Sequence, residues 1–336
     1  MGGHAIRNAR RFPAVEFYPQ ARRVLDRLAE AFPESRIRPV PFYRTKDSFG
    51  DFDVLVESDG LPHDWIQIAS SALLAGEIVR NGEVTSLDID HLQVDLILAP
   101  HERFDFSLNY FAWNDLGNLI GRVARKIGFK FGHRGLFYVL REGDSHAADV
   151  LITHDFEAAI SVLGFDPCRY RRGFDARVDI FRFVADSSYF DPESFPLEYR
   201  SHAARVRDQK RKTYQDFLAW IQTNQVPKKC DVTDINFLAL AKNRFPDFRE
   251  RLRQAMVSVE RKRAAKQRFN GHLVRQWTGL DGASLGELMA RLTQSKGGKE
   301  GVVEYVLSVP ESEVRTWVYG ETDRLQGKED SMAQPR

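Results

Sequence analysis

The stretch that decides the fold is residues 40–56, VPFYRTKDSFGDFDVLV, which ends in an apolar, β-branched run that contains two acids, Asp51 and Asp53. Successive side chains of a β-strand point to opposite faces of its sheet. The i, i+2 spacing therefore places Asp51 and Asp53 on one face, and Phe52 and Val54 on the other. Carboxylates on one face repel each other unless a cation lies between them, and hard divalent cations prefer oxygen ligands. The pattern indicates a metal site, with a solvated strand edge as the alternative.

A third acid stands in a second apolar run, residues 91–100, HLQVDLILAP. Asp95 is the one acid of this run, and an isolated carboxylate is costly to bury without a partner. If this strand lies beside the first, Asp51, Asp53 and Asp95 converge, as a site for two metal ions roughly 3.5 to 4 Å apart requires. The Gly50 turn directly before the first two acids supports this interpretation. The sequence therefore predicts a three-carboxylate metal site.

The segment RTKDSFGDFDVLV resembles the nucleotidyltransferase signature of family X DNA polymerases, in which an arginine-containing loop and a Ser-x-Gly-Asp-x-Asp segment precede a third aspartate. Residues 95–129, DLILAPHERFDFSLNYFAWNDLGNLIGRVARKIGF, resemble the end of that family's palm and the start of its nucleotide-binding thumb. Residues 10–28 resemble the helix that leads into the palm, and residues 149–166 resemble the final thumb helix. The resemblance covers roughly residues 10–170, about half of the chain.

This resemblance implies an α+β fold: a polymerase-beta-like nucleotidyltransferase palm with a mixed sheet and helices, a thumb-like region and a mostly helical C-terminal domain. It also implies transfer of a nucleoside monophosphate from a nucleoside triphosphate to a DNA or RNA 3′ end, with two Mg²⁺ ions as cofactors and Mn²⁺ as the alternative. In this interpretation Asp51 and Asp53 bridge both ions. Asp95 binds only the catalytic ion and accepts the proton of the primer 3′-hydroxyl.

The same resemblance assigns nucleotide-binding residues. Arginine and serine side chains would hold the phosphates, an aromatic pair would pack on the sugar, and residues of the following helix would lie near the base. These nucleotide-binding residues are Arg11, Arg44, Ser48, Gly50, Tyr110, Phe111, Asp115 and Asn118. Arg122, farther along that helix, would lie on the templating or minor-groove side. The alternatives are plain core packing for the aromatic pair and a solvated helix position for Arg122.

Two departures from the family pattern affect the phosphate and sugar contacts. The family usually has Gly-Ser where this chain has Val40 and Pro41, and Pro41 has no N–H to donate to a phosphate. The phosphate contacts would then come from Arg44, Lys46, Ser48 and the Gly50 backbone. Trp113 replaces the glycine of the sugar-contacting segment, so the exclusion of ribonucleotides is left open.

A basic region follows the polymerase-like half. Residues 200–275 contain 19 Lys and Arg against 7 Asp and Glu, whereas the net charge of the whole chain is +2. Such a local excess is typical of a surface that binds polyanions, with solubility as the alternative explanation. Most of the charge lies in residues 204–214 and 259–269. The predicted nucleic-acid-binding residues, besides Arg122, are Lys210, Arg211, Lys212, Arg261, Lys262 and Arg263.

These observations predict four regions. Residues 1–105 form the palm with its N-terminal helix, residues 106–180 the thumb-like region, residues 181–325 the basic, mainly helical domain, and residues 326–336 a disordered tail. Within the third region, residues 269–292, FNGHLVRQWTGLDGASLGELMARL, resemble the C-terminal segment of tRNA nucleotidyltransferases and poly(A) polymerases. A compact chain of this kind also resembles proteins encoded by bacteriophages.

Composition limits the possible classes of protein. The chain has 336 residues, of which 43% are hydrophobic and 29% charged, as in ordinary globular proteins. It has no apolar run of the roughly 20 residues that would span a bilayer and no signal peptide, so we expect a cytoplasmic protein, in the host cytoplasm if it is viral, with no membrane partner. Cys168 and Cys230 cannot form a disulfide framework. The oligomeric state is left open.

Three functions are compatible with the sequence. The first is a small DNA polymerase or terminal transferase. The second is an RNA or tRNA 3′-end nucleotidyltransferase, which the C-terminal resemblance favours. The third is a catalytically inactive nucleic-acid-binding protein, which the replaced Gly-Ser favours and the three intact aspartates oppose.

Overall fold

The computed structural model describes residues 5–199 and 202–332. The described strands are β1 (Phe12–Pro13), β2 (Ile37–Pro39), β3 (Ser48–Phe49), β4 (Asp51–Glu57), β5 (Ile78–Asn81), β6 (Val84–Ile89), β7 (Leu92–Ala99), β8 (Phe129–Gly132), β9 (Gly135–Glu142) and β10 (Ser145–Thr153). The helices of the first half are α1 (Ala14–Ala31), α2 (Trp65–Leu73), α3 (Phe104–Phe111), α4 (Leu116–Lys126), α5 (Phe156–Val162), α6 (Pro167–Arg172) and α7 (Arg177–Ala185).

The second half of the described chain is helical. Its helices are α8 (His202–Gln209), α9 (Lys212–Thr223), α10 (Phe237–Arg244), α11 (Pro246–Arg268), α12 (Gly271–Thr278), α13 (Gly282–Ser295), α14 (Lys299–Ser308) and α15 (Glu311–Met332). Short 3-10 helices lie at His101–Arg103, Pro192–Ser194 and Leu197–Tyr199.

A five-stranded sheet organises the first half, with strand order β2-β4-β7-β6-β5. β4 and β7 are parallel, and the other neighbouring strands are antiparallel. A mixed sheet combined with many helices confirms the predicted α+β class. Two smaller sheets accompany it, the pair β1-β3 and the three strands β10-β9-β8.

The two faces of the central sheet pack against different helices. Phe52 and Val54 of β4 belong to the core that α1 and α2 cover. Leu55 of β4 and Ile97 of β7 pack on the other face, with Phe104 of α3. Because strand residues alternate between faces, the acids of β4 share the face of Leu55.

α1 covers its face of the sheet with one apolar stripe. Phe17, Ala21, Val24 and Leu28 recur at helical spacing, and all four are buried. The ring of Phe17 stacks on Phe49, with 3.7 Å between the ring centroids. This packing attaches the helix to β3, which leads directly into β4.

α3 and α4 meet at a sharp corner beside the central sheet. α4 packs on β8 and α7 through a largely apolar face. Gly117, in its first turn, lies so close to α3 that an added Cβ would be 2.2 Å from the backbone oxygen of Tyr110. A glycine is therefore required here by the close approach of the two helices.

The chain divides into two compact units. The first contains the described residues up to Val139 together with Asp149–Arg249. The second contains Leu140–Ala148 and the described residues from Glu250 onward. The boundaries expected from motifs and composition, at residues 105, 180 and 325, stay predictions. Residues 326–332 of the expected tail belong to α15, and residues 333–336 lie outside the described residues.

The second unit has an apolar core of its own. Its buried members include Phe269, Val274, Leu288, Leu292, Val306 and Val314. Between α12 and α13 the chain turns through Gly279 and Gly282, whose φ values of 73° and 52° lie in the left-handed region that favours glycine. In contrast, an added Cβ at Gly286 of α13 would meet no atom within 4 Å.

Within the described residues, no helix combines the length and apolar character needed to cross a membrane.

Candidate metal centre and cleft

Three carboxylates meet where β4 and β7 run side by side. The parallel register pairs Asp53 with Asp95 and Asp51 with Gln93. One carboxylate oxygen from each of Asp51, Asp53 and Asp95 lies within 4.8 Å of the others. The strand adjacency that the sequence required for their convergence is therefore present. An all-oxygen donor set of this kind suits Mg²⁺ or Mn²⁺.

The electrostatics of the three acids are unfavourable without a cation. Burial, followed by the charges of Asp51 and Asp95, raises the pKa of Asp53 to about 8. Burial also raises the pKa of Asp95, although hydrogen bonds from Ser86 and Gln93 act in the opposite direction. Grouped carboxylates become protonated in this way when nothing neutralises them. A bound divalent cation would offset the free-energy cost of keeping these neighbouring carboxylates ionised, so the residues fit a metal ion.

Gln93 orients the third acid, and the sequence analysis missed it. Its Nε2 donates to both carboxylate oxygens of Asp95, at 3.0 Å each. Its Oε1 accepts from the backbone N–H groups of Ala5 at 3.0 Å and Ile6 at 3.3 Å. Gln93 is two residues from Asp95 on the same strand and therefore on the same face. A polar amide in an otherwise apolar run was the signal that could have identified it.

The acids lie beside an open cleft with a volume of about 120 Å³. Of the residues predicted to bind metal or nucleotide, the described lining includes Asp51, Asp53, Tyr110, Phe111, Asp115 and Asn118. Tyr110 and Phe111 form an edge-to-face ring pair with centroids 5.4 Å apart. The structure thus brings two predicted metal ligands, Asp51 and Asp53, and the predicted sugar and base contacts to one cleft. The third acid, Asp95, is buried and has a carboxylate oxygen within 4.8 Å of theirs.

Lys46 provides a positive charge on the wall of the cleft. Burial lowers the pKa of Lys46, and the charges of Asp51 and Asp53 partly oppose that lowering. The charge of Arg11, an exposed residue just before β1, lowers the pKa further. The Lys46 ammonium lies 4.6 Å from the ring centroid of Phe49. Lys46 therefore lines the same cleft as Asp51 and Asp53 and interacts with their charges.

The corner between α3 and α4 has an unusual backbone. Trp113 and Asn114 have φ values of 62° and 61°. Few residues other than glycine adopt this left-handed conformation, which costs free energy and is concentrated at functional sites. Trp113 therefore keeps the conformation that the expected glycine would favour. Its N–H donates to the carbonyl oxygen of Pro41 at 2.7 Å.

Arg211 lies in the cleft, although the sequence placed it with the surface basic residues. Its Nη1 donates to Oδ1 of Asp115 at 2.8 Å. Nearby, Nδ2 of Asn118 donates to Oδ1 of Asp208 at 3.4 Å. The sequence neighbours of Arg211 lie at the surface instead. Lys210 is exposed, and the Lys212 side chain is 81% exposed. Residues of the α8–α9 segment thus form part of the cleft wall.

Other predicted contacts are not among the residues that line the cleft. The guanidinium of Arg44 is hydrogen-bonded to Asp175 and to the carbonyl oxygen of Arg172. Ser48, in β3, donates to Oδ1 of Asp47 at 3.2 Å. Gly50 joins β3 to β4. Nε of Arg122 donates to the carbonyl oxygen of Ser194 at 3.0 Å. Arg122 is therefore engaged within the first unit.

The remaining predicted basic residues belong to α11 in the second unit. Arg261 is exposed and lines a groove with residues of α14. Lys262 pairs with Glu300 at 2.6 Å, and Arg263 pairs with Glu142 at 3.3 Å.

The sequence matches no protein-family model and no curated protein.

Proposed function

We propose that the protein is a metal-dependent nucleotidyltransferase with a polymerase-beta-like palm, which transfers a nucleoside monophosphate from a nucleoside triphosphate to a nucleic-acid 3′-hydroxyl. The observation that supports it is the convergence of Asp51, Asp53 and Asp95 on two parallel neighbouring strands, within 4.8 Å of one another. Lys46 adds positive charge to the adjoining cleft, where an anionic substrate would need it.

In this proposal Asp51, Asp53 and Asp95 would hold the metal ions. Two Mg²⁺ or Mn²⁺ ions, when bound, lower the pKa of the attacking hydroxyl and neutralise charge on the departing pyrophosphate. Gln93 and Ser86 keep Asp95 oriented, so that its carboxylate can accept the hydroxyl proton. Lys46 stabilises the negative charge of the phosphates. Tyr110 and Phe111 pack on the sugar.

DNA is the first candidate substrate, and one observation favours RNA as the second. Residues 269–292, which resemble the tail of RNA-specific nucleotidyltransferases, form α12, a left-handed glycine turn and α13 in the second unit. We infer that the nucleic-acid class is decided outside the carboxylate site.

An incorporation assay tests the proposal. Purified protein is incubated with Mg²⁺ or Mn²⁺, each labelled deoxynucleoside or nucleoside triphosphate, and single-stranded DNA, recessed duplex, single-stranded RNA or tRNA. We expect incorporation that is lost when Asp51→Ala and Asp53→Ala are combined. Asp26→Ala, which removes an exposed acid of α1, should retain it.

The pattern of products distinguishes the candidates. Template-directed extension of the recessed duplex would identify a polymerase, and untemplated extension of DNA a terminal transferase. Extension of one RNA class alone would favour the second candidate. Binding of nucleic acid with no incorporation under any condition would contradict the proposed activity and leave an inactive binding protein.

A further inference from the structure

Two short segments of the first unit are joined in a way that bears on triphosphate binding. One is the phosphate loop, residues 41–47, which contains Pro41 in place of the usual serine and carries Lys46 into the cleft. The other is the clamp segment, residues 172–175, which connects α6 to α7. About 130 residues separate them in sequence, since the pair Thr45 and Asp175 is 130 positions apart.

Backbone hydrogen bonds fix the phosphate loop to the clamp segment. The N–H of Arg44 donates to the carbonyl oxygen of Phe174 at 3.1 Å, and the N–H of Thr45 donates to that of Asp175 at 2.8 Å. The Thr45 hydroxyl donates to the same Asp175 oxygen at 2.8 Å. These two loop N–H groups are therefore bonded to the clamp segment, and Pro41 has no N–H. The loop backbone consequently has fewer donors for a phosphate than a Gly-Ser loop has.

The side chain of Arg44 is held by the same segment. Its Nη1 donates to Oδ1 of Asp175 at 2.5 Å, and its Nη2 donates to the carbonyl oxygen of Arg172 at 2.5 Å. The charge of Arg44 is thus matched by Asp175. Lys46, two residues later, lines the cleft together with Asp51 and Asp53 and interacts with their charges.

Gly173 and Trp113 pack closely where the phosphate loop meets the clamp segment. Gly173 has a φ of 72°, and an added Cβ would lie 2.8 Å from the Trp113 ring and 3.2 Å from Nη2 of Arg44. Trp113 contacts the ring of Phe174 edge to face, with centroids 5.2 Å apart. The backbone N–H of Trp113 also donates to the carbonyl oxygen of Pro41, at the start of the phosphate loop. Trp113 therefore contacts both segments at once.

We propose that the clamp segment positions the phosphate loop so that Lys46, in place of Arg44 and the loop backbone, is the residue that holds the phosphates of the nucleoside triphosphate. This inference rests on the proposed function. Asp175 and Gly173 are positioning residues, because they act through Arg44, Thr45 and Trp113. Lys46 is the phosphate-binding residue.

The test compares Lys46→Ala, Arg44→Ala, Asp175→Ala and Asp175→Glu. The dissociation constants of a nucleoside triphosphate and of inorganic tripolyphosphate are measured by calorimetry with Mg²⁺, and KM and kcat are measured separately. We expect Lys46→Ala to weaken binding of both ligands at least about tenfold, and Asp175→Ala about fivefold, with kcat changed less than KM. Asp175→Glu should recover most of the loss.

Asp186→Ala is the matched control. Asp186 is also an exposed acid paired with an arginine, Arg169, but it lies outside both segments. It should leave both dissociation constants unchanged. If Asp175→Ala does not fold, Thr45→Val, which removes only the hydroxyl bond to the clamp segment, takes its place, with an expected weakening of about twofold. Melting curves of every variant separate a loss of folded protein from a loss of affinity.

Three results would overturn the inference. The first is unchanged affinity in Asp175→Ala, or in Thr45→Val if that variant is used instead. The second is a larger loss of affinity in Arg44→Ala than in Lys46→Ala. The third is an equal loss of affinity in Asp175→Ala and Asp186→Ala. A wild-type protein that binds triphosphate but incorporates no nucleotide would contradict the proposed function alone. In that case the measured affinities would still test the role of the clamp segment. A wild-type protein that binds neither ligand would overturn both.

Discussion

At Asp53, burial and two neighbouring carboxylates act in the same direction. They raise its pKa from 3.8 to about 8. Below pH 3.8 the folded and unfolded states both carry the proton, and the group does not affect stability. As the pH rises from there to about 8, the unfolded chain releases a proton that the folded protein retains. The free energy of unfolding therefore falls, by at most roughly 1.4 kcal/mol per pH unit, and levels off above pH 8.

Asp53→Asn should remove this loss of stability in metal-free protein. The free energy of unfolding is measured in urea with EDTA at pH 5 and pH 8. We expect the wild-type protein to lose more stability than Asp53→Asn over this interval, and Mg²⁺ to restore it in the wild type alone. Asp26→Asn, at an exposed acid of α1, should behave like the wild type. An equal pH dependence in wild type and Asp53→Asn would contradict the assigned shift.

Gln93 satisfies several partners at once, so its loss should be costly. Gln93→Leu removes two donated bonds to Asp95 and two accepted bonds from the N-terminal segment. We expect it to lower the free energy of unfolding by about 1 to 3 kcal/mol in urea at pH 7, because the buried carboxylate of Asp95 keeps only the bond from Ser86 and two backbone N–H groups lose their acceptor. Among the described residues, Oε1 of Gln20 is buried and has no hydrogen-bond partner. Gln20→Leu should therefore be neutral or stabilising, and a similar loss in both variants would contradict this account.

At the scale of elements, the close approach of α3 and α4 depends on Gly117, which has no side chain. Gly117→Ala would place a Cβ 2.2 Å from the Tyr110 carbonyl oxygen, so the two helices must separate. We expect a loss of about 1 to 3 kcal/mol in the free energy of unfolding, as overpacking usually costs. The cleft aromatic Tyr110 should shift as well.

Gly286→Ala is the matched substitution in another helix. An added Cβ there meets no atom within 4 Å, so alanine should stabilise α13 by about 0.5 to 1 kcal/mol through its higher helix propensity. Urea unfolding of both variants checks the pair. A destabilisation of the same size at both positions would mean that helix contact does not explain the effect at Gly117.

The elements that the sequence predicted best were those with a local pattern. The alternation in β4 placed Asp51 and Asp53 on one face, and the apolar run around Asp95 predicted a buried strand. That β4 and the strand of Asp95 are neighbours was an assumption, because strand pairing depends on the whole fold and has no local pattern. Arg211 could not be assigned to the cleft, because its partner Asp115 is 96 residues away and a basic run carries no information about which side chain turns inward.

The departures from the family pattern also show a limit of sequence reasoning. Pro41 and Trp113 looked like two unrelated replacements, 72 positions apart in the numbering. In the structure the Trp113 N–H donates to the Pro41 carbonyl oxygen, and Trp113 keeps a left-handed backbone. A hydrogen bond between residues so far apart in sequence has no local signature. The comparison with the family pattern drew attention to both positions but could not predict their contact.

For the molecule as a whole, the basic region is less uniform than its composition implied. Arg211 faces the cleft and pairs with Asp115, whereas Lys262 and Arg263 pair with acids of the second unit. Exposed ion pairs of this kind contribute little to stability, so Lys262 and Arg263 add charge to the surface of α11 and little to its folding. Nucleic-acid binding by α11 should accordingly be electrostatic and independent of sequence.

Replacing Arg261, Lys262 and Arg263 together by alanine tests that expectation. Each phosphate contact on duplex DNA contributes about 0.9 to the slope of log K against log salt concentration, so the triple variant should reduce the slope by about 1 to 3. Binding to a 20-nucleotide single strand and to duplex is measured by fluorescence anisotropy across a salt series.

The matched control replaces three arginines of α1 by alanine: Arg22 and Arg23, which are exposed, and Arg27, which is half-buried. Both triple variants change the net charge by the same amount, so a general effect of charge should lower affinity equally in both. We expect the α11 variant alone to lose slope, because the basic excess lies in residues 200–275. An unchanged slope in the α11 variant, or an equal reduction in the α1 variant, would show that α11 does not contact the phosphates and that its charges serve solubility.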